Sequence, residues 1–324
     1  MAKLSSKERA ALPDRAFAYI DSRGIRRLPI NDAGRVRNAL ARFNQVAFED
    51  EAARERARKR LLNAAKKYGI VPVGFMTGQL QSESRKTEQI RSDLKEAQKI
   101  QVGLLPRQPP SVPGFAMSGV CRPSRSVGGD WFDYIQFPDG RVAIVLADVS
   151  GKGMAAALLM SSTRSILRLV ARDGRAPSAV LKEVNRTLVA DLPASKFVTM
   201  IYAVLDPARR TVTFGNAGHH PPILVDGNGA QAAKAKAELP LGVRQGSYSE
   251  RTLEMAPGSR LFLYSDGVVE ARNRASEEYG EARLLQFVGN NSASAEHVLN
   301  DVLAFTKSRS VHDDVTVVTV EAVA

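Results

Sequence analysis

The chain has 324 residues and a formal net charge of +12 at pH 7, a length that allows one domain of about 200–250 residues and a smaller one. A single cysteine, Cys121, excludes an internal disulfide framework and a cysteine zinc cluster, and four histidines supply few imidazole metal ligands. Because no run reaches the roughly 18 apolar residues of a membrane span, and residues 1–10 lack the apolar segment of a signal peptide, we expect a cytoplasmic protein.

The positive charge is concentrated near the N-terminus. Residues 1–78 hold 17 Lys and Arg against 8 Asp and Glu, a net charge of +9 that leaves +3 for the rest of the chain. Glycines and prolines predict a mostly irregular lead-in over residues 1–34, whereas apolar residues at helical spacing predict helices within 36–47 and 57–68. We therefore predict a small basic helical module over residues 1–78.

The segment RERARKR, Arg54–Arg60, could bind nucleic acid or an acidic protein. No helix-turn-helix pattern and no mixture of aromatic and basic residues accompanies it. A solvated helix face is therefore the favoured interpretation, and nucleic-acid binding is not expected. A regulatory protein that binds the basic module is an alternative.

Residues 79–105 are charged and contain no Gly or Pro before Gly103, which predicts a helical linker. A heptad pattern runs through it, but its a and d positions are apolar mainly from Ile90 onwards, with Gln101 as an interruption. Such a short seam predicts either a marginal coiled coil that pairs two chains as a homodimer or a helix that packs on the next domain. Both interpretations fit the pattern.

Residues 106–324 are predicted to form the larger domain, which begins where the prolines from Pro106 end the helix. Strands are predicted at 115–121, 131–137, 141–147, 197–205, 211–216, 223–225, 249–254, 260–265 and 315–320, and helices at 154–172, 177–191, 281–289 and 295–308. Most strands follow one another as hairpins, with Asp139-Gly140 and Asp206-Pro207 as turns, and the helices come in pairs. This order predicts an α+β fold with antiparallel sheet sandwiched by helices, not a doubly wound parallel sheet.

The stretch Val142–Met160 reads VAIVLADVSGKGMAAALLM: an apolar run, then Asp148, then a Gly-Lys-Gly turn. Its apolar run has no polar alternation, so we expect a strand buried on both faces that delivers the Asp148 carboxylate to a loop. A Walker phosphate loop is excluded because Leu146 and Gly153 stand where it needs Gly and Ser or Thr. A dinucleotide fingerprint is excluded because a second helical pattern follows in place of a parallel strand. The third interpretation makes Asp148 a metal ligand.

Other acidic residues also lie where a predicted strand meets a loop. They are Asp130, Asp266, Asp313 and Asp314. Each one alone is explained as a turn former or a cap. Together at one edge, such carboxylates raise one another's pKa values, so the cluster is stable only when cations bind it. A ligand set made of oxygen favours Mg or Mn over zinc.

Six motifs occur in a fixed order: GGDWFDY, ADVSGKGMAAALLM, FVTMIYAVLD, GNAGHHPP, LFLYSDGVVEARN and DDVTVV. From about residue 100 to the end, the chain with these motifs resembles the metal-dependent Ser/Thr protein phosphatases of the PPM type, in their bacterial SpoIIE-like branch. The resemblance implies an αββα sandwich with two Mn or Mg ions between the sheets.

The resemblance also implies a role for each matching residue. Asp148 is implied to bridge the ions, with the backbone carbonyl of Val149 beside it, and the metal site is implied to be completed by Asp130, Asp266 and Asp313. Asp314 is implied to support the site. Arg125 resembles the arginine that contacts the substrate phosphate, with the nearby Arg122 as the alternative.

The resemblance implies that a metal-activated water carries out the reaction and that no side chain is catalytic. Eukaryotic relatives carry a proposed general acid, a His, two residues after the bridging Asp, and Ser150 stands there in this chain. His219 and His220 precede a proline in what is interpreted as a structural turn.

The implied function is metal-dependent hydrolysis of phosphoserine or phosphothreonine in a protein, in bacterial regulatory signalling. A water between two cations has a lowered pKa, and the cations neutralise the phosphoryl oxygens. The substrate class implied by the family is a phosphorylated anti-sigma factor antagonist. The alternative is a slow or regulated binding protein of the same fold that acts as a partner switch.

Overall fold

The computed structural model describes residues 6–233, 236, 238–290, 293–307 and 311–323. The chain divides into two compact units, residues 1–92 and 93–324. The unit boundary falls within one long helix, inside the predicted linker. The three-part division predicted from the sequence stays a prediction.

The first unit contains a short β-hairpin as well as helices. Its elements are α1 (Ser6–Ala11), β1 (Phe17–Ile20), β2 (Arg26–Pro29), α2 (Ala33–Arg42), α3 (Glu51–Lys67) and the start of α4 (Val73–Leu104). The hairpin corrects the prediction of an irregular lead-in. The sequence did not predict the hairpin because β2 reads RRLP. Only Leu28 is buried in it, so apolar and polar residues do not alternate.

The helices of the first unit are capped and packed as their sequences predict. Asp32 accepts a hydrogen bond from the Arg35 amide at the start of α2, and Asp50 accepts one from the Ala53 amide at the start of α3. Their inward faces meet in a core that includes the fully buried Phe43. The basic segment lies on α3, whose outer positions carry its charge.

The helix α4 begins at Val73, six residues before the predicted start at residue 79. The helix runs through two glycines, Gly74 and Gly78. Tertiary packing overrides their low helix propensity, because Phe75 packs edge-on against Phe43 with ring centroids 5.3 Å apart.

The second unit contains two five-stranded antiparallel sheets. Its strands are β3 (Phe115–Arg122), β4 (Trp131–Gln136), β5 (Val142–Val149), β6 (Val198–Asp206), β7 (Thr211–Ala217), β8 (Ile223–Asp226), β9 (Gly229–Ala232), β10 (Arg251–Glu254), β11 (Arg260–Tyr264) and β12 (Val315–Ala322). Sheet I has the order β10-β7-β6-β5-β4, and sheet II has the order β3-β12-β11-β8-β9. The edge strand β9 was not predicted, because its sequence GAQA has neither alternation nor branched residues.

Helices cover both sheets on their outer faces. They are α5 (Met154–Val170), α6 (Pro177–Asp191), the short α7 (Asp266–Val269), α8 (Glu281–Asn290) and α9 (Ala295–Thr306). One apolar core lies between the sheets, a second joins sheet I to α5 and α6, and a third joins sheet II to α7, α8 and α9. The αββα sandwich is confirmed, and β5 is buried on both faces as expected.

One described segment, Met154–Asp173, is long and apolar enough by composition to cross a membrane. Its residues Ala156, Met160 and Leu167 are fully buried in the core against sheet I. That placement is the one expected of a core helix. The cytoplasmic location stays a prediction.

Candidate functional site

The predicted carboxylates meet at one end of the sandwich because of the strand register. Trp131 lies opposite Ala147 in sheet I, which places Asp130, the residue before β4, beside Asp148 near the end of β5. Tyr264 lies opposite Val317 in sheet II, so the loop after β11 and the loop before β12 share an end. Residues far apart in sequence thus converge there.

A cavity of about 290 Å³ opens at this end of the unit. Three predicted ligands line it: Asp148, Asp266 and Asp313. The other lining residues are Ser150, Gly151, Lys152, Phe197, Thr199, Gly218, His219 and His220. Asp130 does not line the cavity. It is buried, and its carboxylate accepts a 2.8 Å hydrogen bond from the Thr316 hydroxyl.

Burial and mutual repulsion raise the pKa values of these carboxyl groups. The pKa of Asp130 is raised well above its ordinary value, first by burial and then by Asp148 and Asp314. The pKa of Asp148 is raised to about 7 by burial and by neighbouring carboxylates. Burial and Asp313 also raise the pKa of Asp266. Folding therefore assembles negative charge that a cation would stabilise.

We predict that, in EDTA, the melting temperature falls as pH rises from 5 to 8. The raised pKa of Asp148 lets the folded chain hold a proton that the unfolded chain, with a pKa near 3.8, has released. This contribution to stability is present at low pH and is lost as pH rises through about 7. Differential scanning fluorimetry measures the slope, and Asp148→Asn is the control, with a shallower slope expected. A melting temperature that rises over this range in the wild type contradicts the prediction.

The Val149 carbonyl oxygen lies against the loop before β4. A Cβ at Gly129 would stand 2.7 Å from that oxygen and 3.2 Å from Asp148 Oδ1. Any side chain at Gly129 would therefore collide with the backbone at the end of β5. The absence of a side chain allows the two loops to approach closely.

Asp314 is buried and organises the loop that carries Asp130. Its Oδ1 accepts hydrogen bonds from the amide and hydroxyl of Ser124, at 2.8 and 2.9 Å, and its Oδ2 accepts one from the Gly129 amide at 2.8 Å. These contacts hold the loop in place from the opposite sheet. They are consistent with the supporting role that the family resemblance implies for Asp314.

Basic side chains surround the turn after Asp148. The Lys152 ammonium contacts Asp313 Oδ2 at 2.7 Å, and Lys196 donates to the Ser150 carbonyl oxygen at 2.9 Å. Arg125 is exposed, and its Nη1 lies 3.9 Å from the point where a Cβ on Gly153 would stand. Arg125 therefore lies beside the turn, but it is not among the residues that line the cavity.

Ser150 and His219, for which the sequence predicted no catalytic role, have structural partners. The Ser150 hydroxyl oxygen accepts a hydrogen bond from the Phe197 amide. His219 Nε2 donates to the Tyr264 carbonyl, and its Nδ1 accepts from Thr199. Burial, with a smaller contribution from His220, lowers the pKa of His219 to about 3, so its ring is neutral and serves to hold the turn.

Gln101 is a functional candidate that sequence reasoning missed. It reads as a polar interruption of a heptad, yet it is buried, donates to the Gly128 carbonyl at 2.7 Å and accepts from the Gly128 amide at 3.0 Å. Gly128 lies two residues before Asp130. The end of α4 is thereby bonded to the loop that carries a predicted ligand.

We predict that Gln101→Ala destabilises the second unit by about 1–3 kcal/mol, because both backbone groups of Gly128 lose their partner. A displaced loop should also reduce activity by roughly 10–100-fold. Urea unfolding and phosphatase assays measure the two effects. Gln98→Ala, one turn earlier on α4, is the matched control and should change neither. Equal values for the two variants would contradict a role for this hydrogen-bonded pair.

Comparison with known proteins connects this arrangement to a family. The model of the stage II sporulation protein E (SpoIIE) family matches residues 138–323. Phosphoserine phosphatase RsbU of Bacillus subtilis is 30% identical over 238 residues, which span 71% of this chain and 70% of RsbU. Protein IcfG of Synechocystis is 26% identical over 262 residues, and the match covers 71% of this chain but only 41% of IcfG.

Solved structures share the fold. The SiaA-PP2C domain of Pseudomonas aeruginosa aligns with a TM-score of 0.65 at 22% identity, over 74% of this chain and 98% of that domain. RsbX, solved in complex with magnesium, aligns with a TM-score of 0.51 at 16% identity, over 65% of this chain and 96% of RsbX. The family match and the 30% identity to the phosphoserine phosphatase RsbU show that the chain belongs to the SpoIIE family.

Proposed function

We propose that this chain hydrolyses phosphoserine or phosphothreonine in a regulatory protein, with two Mn or Mg ions bound at the cavity. The observation that supports this most directly is the meeting of carboxylates from both sheets at one cavity that is open to solvent. The phosphatase named RsbU, with 30% identity, supports the same reaction class.

The residues present fit a hard divalent cation. Asp130, Asp148, Asp266, Asp313 and the Val149 carbonyl are the proposed ligands, and all offer oxygen. The raised pKa values of Asp130 and Asp148 show that burial and repulsion disfavour their charged forms when only protein atoms surround them. Within the described ranges, no three His, Cys, Asp or Glu side chains are grouped closely enough to hold an ion as they stand. Binding would therefore require side chains such as that of Asp313 to change partners.

When bound, such ions supply Lewis-acid stabilisation of phosphoryl oxygens and a nucleophile at neutral pH. The protein's own residues have other tasks in this proposal. Arg125 binds the phosphate from its exposed position beside the turn that holds Gly153. Phe197, with 39% of its surface exposed at the rim, offers an apolar contact to the polypeptide beside the phosphorylated side chain.

An anti-sigma factor antagonist is the proposed substrate class, and a regulatory protein is the proposed ligand of the basic first unit. A homodimer through residues 79–105 is also proposed. In its favour, Leu80 and Ile90 are large apolar residues of α4 that are 63% and 60% exposed, as an unpaired coiled-coil seam would leave them.

The activity is tested with a phosphoserine peptide and with p-nitrophenyl phosphate. We expect turnover that requires added Mn or Mg and that EDTA abolishes. Zinc should not substitute, because the ligand set contains only oxygen. Tight binding of the phosphopeptide without turnover would instead favour a partner switch of this fold. Full activity in EDTA would contradict the metal-dependent mechanism.

A further inference from the structure

Lys152 holds an unusual position at the cavity. Its ammonium contacts Asp313 Oδ2 at 2.7 Å and donates to the His312 carbonyl oxygen at 3.0 Å. Lys152 also lines the cavity together with Asp148, Asp266 and Asp313. A positive charge of the protein itself therefore contacts a carboxylate proposed to bind a metal ion.

The turn that carries Lys152 fixes where this charge can reach. Gly151 and Gly153 flank it with φ of 99° and 77°, conformations that other residues rarely adopt. The turn is anchored by Lys196, whose ammonium donates to the Ser150 carbonyl oxygen. The backbone of this turn is therefore held in place, and the Lys152 ammonium has a high local concentration at Asp313.

The two lysines of this region differ in what they bind. Lys152 is paired with a carboxylate, whereas Lys196 donates to a backbone carbonyl. The side chains of Lys152 and Asp313 are 41% and 34% exposed, so water screens their pair. Its strength is then modest, which allows a divalent ion to displace it.

We propose that Lys152 is a tethered cation that competes with the divalent ion for Asp313 and so sets the ion concentration at which the site fills. The inference rests on the proposed function, since Asp313 is one of the proposed ligands. The ammonium 2.7 Å from Asp313 Oδ2 repels a second cation that approaches the same carboxylate. A divalent ion at Asp313 therefore binds more weakly while the ammonium stays in place.

The test is isothermal titration of Mn²⁺ into the full chain, without substrate. Lys152→Met keeps the apolar stem and removes the charge, and it should bind Mn²⁺ roughly fivefold more tightly than wild type. Lys182→Met removes an equal charge from an exposed position on α6 that does not line the cavity, and it is the control. Its affinity should stay within about twofold of wild type, because salt screens an exposed charge away from the cavity lining.

A double-mutant cycle tests whether Lys152 and Mn²⁺ compete at Asp313. In an Asp313→Asn background, Lys152→Met should no longer raise the affinity for Mn²⁺, because the carboxylate for which the two cations compete is gone. In EDTA, Lys152→Met should melt below wild type, since Asp313 loses its ion-pair partner. Lys152→Arg, which keeps the charge, should restore affinity close to that of wild type.

Equal or weaker Mn²⁺ binding by Lys152→Met would overturn the inference. The same gain in the Asp313→Asn background, or an equal gain from Lys182→Met, would also overturn it by showing a general charge effect. If wild type and Lys152→Met both bind Mn²⁺ with equal affinity, the proposed function stands and only this inference fails. If neither binds Mn²⁺, both fail.

Discussion

Asp148→Asn should lower kcat/KM on a phosphoserine peptide by more than about 100-fold, the largest loss expected from any single proposed ligand. Mutations of residues that merely support a metal ligand cost roughly 10–100-fold, and Asp148 is the proposed bridge between two ions. The substitution keeps the shape of the side chain and removes its charge. The assay is run at saturating Mn²⁺, so that weakened binding does not by itself account for the loss.

Asp139→Asn is the matched control for this experiment. Asp139 lies in the β4–β5 turn, where its carboxylate accepts hydrogen bonds from Arg141. It is exposed at the surface. Its substitution should leave kcat/KM unchanged. If Asp148→Asn at saturating Mn²⁺ turns over as fast as wild type, Asp148 is not a ligand and the proposed site is wrong.

Asp314→Ala should destabilise the second unit by about 3 kcal/mol or more. Two opposite effects contribute to this value. The alanine variant removes a carboxylate that raises the pKa values of Asp130 and Asp148, which relieves repulsion. It also removes the acceptor of three hydrogen bonds from Ser124 and Gly129. Each bond to a charged group contributes about 1.5–3 kcal/mol, so their loss exceeds the relief.

Urea unfolding of the full chain measures this loss, and two variants serve as controls. Asp314→Asn keeps one side-chain oxygen as an acceptor and should lose less stability than the alanine variant. Asp226→Ala removes one hydrogen bond, from the Asn228 amide in an exposed turn, and should cost below about 1 kcal/mol. A similar loss for Asp226→Ala and Asp314→Ala would contradict the organising role of Asp314.

The predictable part of the fold is the part with strong local patterns. The run of buried residues in β5 is a strand because no polar side chain interrupts it, and its two-sided burial followed from that run. The hairpin turns at residues 139–140 and 206–207 were also predicted from the sequence. In contrast, β2 and β9 are short, and pairing with a neighbouring strand, not their own composition, holds them in place.

The candidate site could be predicted in its residue types but not in its contacts. The position of Asp148 at the end of an apolar strand was visible in the sequence, and the family resemblance supplied the partners. Nothing in the sequence pairs Lys152 with Asp313, because the two are 161 positions apart and meet only through the sandwich. The contact of Gln101 could not be predicted either, because its partner Gly128 contributes only backbone atoms.

Trp131 gives this protein a built-in optical reporter. It is the single tryptophan of the chain, it is fully buried, and it directly follows Asp130. Its indole packs in the core between sheet I and the α5–α6 layer. Fluorescence excited selectively at the indole therefore comes from Trp131 alone, which is adjacent in sequence to the proposed ligand Asp130. Stopped-flow fluorescence on unlabelled protein can then follow the rearrangement of this loop in real time, and quenching by paramagnetic Mn²⁺ compared with diamagnetic Mg²⁺ separates ion proximity from loop movement.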